Sequence, residues 1–294
     1  MRLSCGKINL TYFTTYFTKI KFFSDMSATL PHTEMSPLHG PIPAQVPLSK
    51  APLVRVIAQI KFSEVLGVES PELVADFQDA ISHSYASLIR ESGFNSQMPG
   101  IGMHLSPPMT HWRFSDHPVD WQWRVTLTSQ FITLESTQYT SRDDFIERLQ
   151  VILEAVEEHI KPAMMIRLGI RYINRILGKE LQDLSLLVRP EIAGVVGTSM
   201  ANSIYLSLSE TVFDLEGKKM TARWGMVPSG VTVDPSTTLP IDEPSFLIDL
   251  DVFEEIPSGF QSGEITIKAK LFAERSYAFF RWAVTDEFLL RFGA

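Results

Sequence analysis

The chain has 294 residues, 45% hydrophobic and 20% charged, enough apolar side chain for one large domain or two packed subdomains and too much for a disordered protein. No apolar run approaches the roughly 18 residues that cross a bilayer. The single cysteine, Cys5, excludes a disulfide framework and any multi-cysteine zinc or iron–sulfur site, and fits a reducing cytoplasm. Net charge is −8, with five Lys/Arg and two Asp/Glu in residues 1–50, so that residues 51–294 carry 21 basic against 32 acidic groups, a balance that disfavours a nucleic-acid partner.

Residues 1–50 read as a flexible lead. The first 25 lack a continuous apolar segment and a small-residue cleavage site, which argues against a signal peptide. Met26 opens a stretch with six prolines up to Pro52 and is expected as the natural start. LVRVIAQIKF then alternates Val54, Val56, Ala58, Ile60 and Phe62 against Arg55, Gln59 and Lys61, the pattern of a half-buried strand. Ser70-Pro71 begins a helix, with serine as cap and proline at the first position, and helical spacing through Leu73, Phe77, Ile81, Tyr85 and Leu88 carries it toward Gly93.

A Gly/Pro/Met/Ser-rich loop, about residues 93–110, leads into three short strands, HWRFS, WQWRVTLTS and FITLES. Their connections are too short for parallel crossovers, so they form an antiparallel meander, with Trp121, Trp123, Val125 and Leu127 on one face. Ser141 caps a helix whose buried stripe is Phe145, Leu149, Ile152, Val156 and Ile160, and Pro162 closes it. The decapeptide RLGIRYINRI follows, sending Arg167, Arg171 and Arg175 to one side of a strand and Leu168, Ile170, Tyr172, Asn174 and Ile176 to the other.

Residues 177–294 read as broken helix over ELQDLSLLVRPEIAG, strands at NSIYLSLSETVF and KKMTARWGMV, and a strong strand at SFLIDLDVFEE. EITIKAKLFAERSYAFFRWAV suits either strand or helix, and its length favours helix. Thr285 caps a last helix from Asp286 to Phe292, which Gly293 ends. The fold class is α+β: a predominantly antiparallel sheet with helices packed on one face, the first half ferredoxin-like in the order β-α-βββ-α-β. The domains are a 1–50 lead, a 51–176 subdomain and a 177–294 subdomain packed on it.

APLVRVIAQIKF, ITLESTQYTSRDDFIERL and RLGIRYINRI, with FLIDLDVF and the closing FFRWAVTDEFLLRFG, together resemble a sporadically distributed bacterial family whose members carry no assigned activity. The resemblance covers roughly residues 51–294. It implies a bacterial cytoplasmic protein from an accessory gene and supplies no catalytic residue.

The residues themselves offer a few candidate sites. Arg167, Arg171 and Arg175 stand about 13 Å apart in steps of four along a strand, so a small anion engages one or two of them and an extended polyanion all three. The competing reading pairs them with Glu135, or with Asp249 and Asp251, across the sheet. Asn174 and Tyr172 on the opposite side would line a pocket or make ordinary buried hydrogen bonds. Asp249 and Asp251 project together and would hold Mg²⁺ if a third ligand joined them. His111 and His117 flank a turn containing Asp116, but match no metalloprotease spacing. Trp112, Trp121 and Trp123 are either core or an interaction surface.

Two functions follow. The first is a non-catalytic binding or regulatory protein, partner to another protein in an accessory module of defence or toxin–antitoxin type, with no cofactor and with homo-oligomerisation left open. The second is a metal-dependent enzyme acting on a phosphorylated or nucleic-acid substrate, with Asp249 and Asp251 holding the metal and Arg171 and Arg175 the phosphate.

Overall fold

Alternating apolar residues build the centre of the molecule. In β1, Leu53–Phe62, the side chains of Val56, Ala58, Ile60 and Phe62 are buried while Arg55, Ile57, Gln59 and Lys61 on the other face are less so. This is a computed structural model, and it describes residues 36–93 and 109–294, which form part of one compact unit, Ser36–Ala294. Cys5, Met26, His32, His104 and the rest of residues 1–35 and 94–108 lie outside the described residues.

After β1 come α1, Pro71–Ile81; β2, Ser87–Gly93; β3, Met109–Ser115; β4, Trp123–Leu127; β5, Phe131–Ser136; α2, Arg142–Ala155; and β6, Met164–Ile176. The second half adds three short helices, α3, Gly178–Gln182, α4, Leu184–Leu187, and α5, Pro190–Ala193. It continues with β7, Ser207–Asp214; β8, Lys219–Val227; β9, Ser245–Glu254; and the two-residue β10, Ser258–Gly259. The chain ends with α6, Ser262–Ala283, and α7, Asp286–Arg291. The expected caps are in place: Ser70 Oγ accepts from Glu72 N, Ser141 Oγ from Asp144 N and Thr285 Oγ1 from Phe288 N.

The ten strands of the described residues belong to one antiparallel sheet, ordered β2-β3-β4-β5-β1-β6-β9-β8-β7, with β10 paired to the start of β6. β6 pairs with β1 on one side and β9 on the other, so the hydrogen-bonded ladder runs without a break from the first half of the chain into the second. β5 and β6 flank β1, which means that the chain passes over β1 by way of α2.

One sheet face carries the main core, in which Ala58 and Ile60 of β1 and Leu168 and Ile170 of β6 join Phe77 of α1, Phe145 and Leu149 of α2, and Phe272 and Phe279 of α6. Burial of each such side chain contributes about 1.5–3 kcal/mol. The opposite face has a small apolar cluster, Ile173, Leu247 and Val227, against Val231 and Val233 of the 228–244 loop, and beside it carries the arginines of β6 and the aspartates of β9.

Two expectations are corrected. The helix from Pro71 stops at Ile81 instead of running toward Gly93, because Leu88 to Gly93 pair in register with Phe114 to Met109 of β3 and become β2. Four strands therefore separate α1 from α2 where the sequence suggested three. Trp121 does not share a face with Trp123: it precedes β4, and the guanidinium groups of Arg124 and Arg55 stand over its ring at 4.1 and 5.2 Å from the centroid, whereas Trp123 packs on Phe145 in the core.

Residues 36–50, part of the expected lead, lie along α6. Arg275 Nη1 donates to Pro37 O and Gly40 O, Tyr277 Oη accepts from Val46 N at 2.8 Å, and Lys50 N donates to Phe292 O at 3.0 Å.

Candidate functional site

β6 serves two different surfaces because its residues alternate. Arg167, Arg171 and Arg175 emerge on the polar sheet face, and Tyr172 and Asn174 on the helix-covered face.

On the polar face the arginines meet carboxylates. Arg171 grips Asp249 through Nε at 2.8 Å and Nη2 at 2.7 Å, and its Nη1 reaches Asp234 at 2.8 Å. Burial opposes the charge of Arg171, but the Asp249 pair and then Asp234 outweigh it and hold its proton above the usual arginine range. Asp249 also accepts from Arg223 at 3.2 Å. Arg167 donates to Asp251 at 3.0 Å and to Gln59 Oε1 at 3.3 Å. Burial raises the Asp251 carboxyl above its ordinary value despite Arg167.

Further along, Glu135 accepts from Arg124 at 3.0 Å and Arg55 at 3.4 Å. Asp249 and Asp251 are thus spent on guanidinium groups, and no cluster of three or more His, Cys, Asp or Glu side chains suited to a metal occurs among the described residues. His111 and His117 do not converge either. His117 Nδ1 accepts from the Asp120 amide within its own turn, while the His111 ring meets Phe131 edge-on.

Arg175 is the exception in the row. Only 8% of it is exposed, its Nη1 donates to Leu239 O at 3.2 Å, its Nε has no partner, and no carboxylate lies within 4 Å among the described residues.

Tyr172 and Asn174 lead to a different place, a cleft of about 390 Å³ between β6, the start of α2, the middle of α6 and the strap of residues 45–53. Its walls are largely apolar, supplied by Val46, Leu48, Leu53, Leu250, Ala273 and Phe280. That volume and lining are those of a small-molecule site. Polar side chains interrupt the lining, among them Tyr139, Arg142, Tyr172, Asn174 and Ser276, with Gln45, Thr140, Ser141 and Tyr277 beside them.

Several of these groups have hydrogen-bonding capacity to spare. Ser276 is 1% exposed and its Oγ has no partner; Arg142 Nε is likewise buried without one, and its Nη2 approaches Glu274 only to 3.9 Å. The Asn174 amide reaches Ile248 O at 3.5 Å, the limit of a hydrogen bond. The rings of Tyr139 and Tyr172 meet edge to face at 5.8 Å. Burial pushes the Tyr139 hydroxyl up to about 12 and the Tyr172 hydroxyl well above its ordinary value, with the facing Tyr139 adding to the latter, so both are neutral donors at ordinary pH.

The strap is fitted to the far end of the chain. Gly293 has φ +87°, and a Cβ placed there would stand 2.0 Å from Ser49 Oγ; only glycine permits this approach. Sequence reasoning found Tyr172 and Asn174 but missed Arg142, Ser276 and the strap. The available signal was Ser276 itself, one hydroxyl on the helical stripe of Ala269, Phe272, Phe279 and Ala283.

No family model and no curated protein matches the chain.

Proposed function

We propose that the chain is a non-catalytic binding protein whose cleft beneath the 45–53 strap takes a small amphipathic molecule. The observation that carries this reading is a largely apolar cleft with unspent polar groups buried at its wall, Ser276 Oγ and Arg142 Nε above all. An unpaired buried polar group costs about 1–3 kcal/mol, and a ligand that completes its hydrogen bonding recovers that cost. The polar sheet face offers less, because Asp249, Asp251 and Glu135 already satisfy most of its guanidinium groups.

The test uses 8-anilinonaphthalene-1-sulfonate, a dye whose fluorescence rises in apolar clefts, on the parent and on Ala273→Phe. Ala273 is 1% exposed on α6 and lines the cleft, so the added ring fills it. Saturable one-to-one binding to the parent, weakened at least about tenfold in the variant with its circular dichroism unchanged, is the expected result. A parent that binds no dye, or a variant that binds it equally, removes the reading.

A second role, as partner of another protein, is favoured by β7. This strand is a sheet edge, and Tyr205, Leu206, Leu208 and Val212 on or beside it are between 42 and 75% exposed. An uncovered apolar edge is a template for another strand. The two roles are compatible in a regulator that binds a small molecule at one place and a protein at another. We also read the first half as an enlarged ferredoxin-like unit, which the passage of α2 over β1 between β5 and β6 supports.

A further inference from the structure

The charge inventory of the cleft goes further than its shape. Among its 18 lining residues there is no Asp, Glu, Lys or His, and the one formal charge is the guanidinium of Arg142. This stands out in a chain of net −8. The arginine is only loosely engaged, with Nε unpartnered and Nη2 3.9 Å from Glu274. The other polar groups of the lining are uncharged: the hydroxyls of Tyr139 and Tyr172, which stay protonated, those of Thr140, Ser141, Ser276 and Tyr277, and the amides of Gln45 and Asn174. The apolar walls form most of the remaining surface.

We infer that the ligand is an amphipathic monocarboxylate, with its carboxylate received by Arg142 and Ser276 and its hydrocarbon body laid among Val46, Leu53, Leu250 and Phe280. This rests on the reading of the cleft as a small-molecule site and adds the chemistry of the head group. One guanidinium neutralises one carboxylate, and the adjacent Nε–H and Nη–H groups of arginine match its two oxygens. A phosphate carrying nearly two charges would be left half compensated by this wall. A cationic head would find the guanidinium opposing it, and a neutral one would leave that guanidinium with no closer counter-charge than Glu274 at 3.9 Å when the cleft fills and water is displaced.

Calorimetric titration of the whole protein with decanoate, decanol and decanamide separates these cases, since the three share a chain and differ in the head. The expected result is that decanoate binds at least about tenfold more tightly than either neutral compound. Arg142→Gln should abolish that preference, with circular dichroism matching the parent to show that the fold of the variant is intact. Ser276→Ala, which removes an unpartnered hydroxyl and leaves the helix unharmed, should weaken decanoate about threefold to tenfold.

Equal affinity for the three compounds, or a preference for decanoate that survives Arg142→Gln, overturns the assignment of the head group and leaves the cleft reading standing. Failure of all three to bind overturns it too. The anilinonaphthalene dye then decides whether the cleft reading falls with it.

Discussion

Asp249 is the residue on which the polar sheet face depends. Its side chain is 4% exposed and lies between Arg171, which holds both its oxygens, and Arg223, which holds one. Buried ion pairs contribute little when complete, since desolvation offsets attraction, but removing one partner leaves charge uncompensated and costs about 3–5 kcal/mol. Asp249→Asn should therefore destabilise the protein by about that amount in urea unfolding. Arg223 Nε also donates to Glu210 at 2.7 Å, so a loss below about 1 kcal/mol would mean that Asp234 and Glu210 can carry the two arginines without Asp249. The same change is expected to leave dye and decanoate binding intact, because Asp249 faces away from the cleft. The sequence made this cluster legible, since arginines spaced by four and aspartates spaced by two must each share a face of a strand. It could not reveal that Asp234, on a loop 63 residues from Arg171, completes the pair.

At the scale of elements, legibility followed local periodicity and failed where a distant partner decided. α2 and α6 show buried stripes that helical spacing already marks, and β6 keeps its arginines on one face from Arg167 to Arg175. Tyr85 and Leu88 also fit a helix, yet the hydrogen bonds offered by β3 draw Ser87 to Gly93 into a strand. The strap was harder still. Its prolines give it no period, and it is held by Tyr277, Phe292 and Gly293, more than 230 residues away. Its dependence on Gly293 is testable. Gly293→Ala adds a Cβ against Ser49 at a left-handed position, which should cost about 1–2 kcal/mol from the backbone alone and release the contact. The readout is hydrogen exchange at the Ser49 and Lys50 amides, which donate to Gly293 O and Phe292 O; exchange should quicken there and stay unchanged in β1. Protection retained at both amides would show that the strap does not need this glycine.

Across the whole molecule, the phenols couple the core to pH. Tyr85 and Tyr139 are both pushed up to about 12 from an ordinary 10.0, and Tyr172 is raised as well, in every case chiefly by burial. A hydroxyl that ionises less readily when folded binds more protons in the native state than in the unfolded one between those values. Stability is then fully present below pH 10 and falls as pH rises toward 12. The slope is about 1.4 kcal/mol per pH unit for each tyrosine. Urea unfolding followed from pH 9 to 12 should show this decline, and Tyr139→Phe should make it shallower by about one tyrosine's share. The phenol lines the cleft, so the same variant separates two of its roles. It should leave the decanoate preference at neutral pH in place, because Arg142 and Ser276 receive the head group, while softening the alkaline loss. An unchanged alkaline slope would place Tyr139 in contact with water through the cleft, and the space beneath the strap would then be wetter than its apolar walls imply.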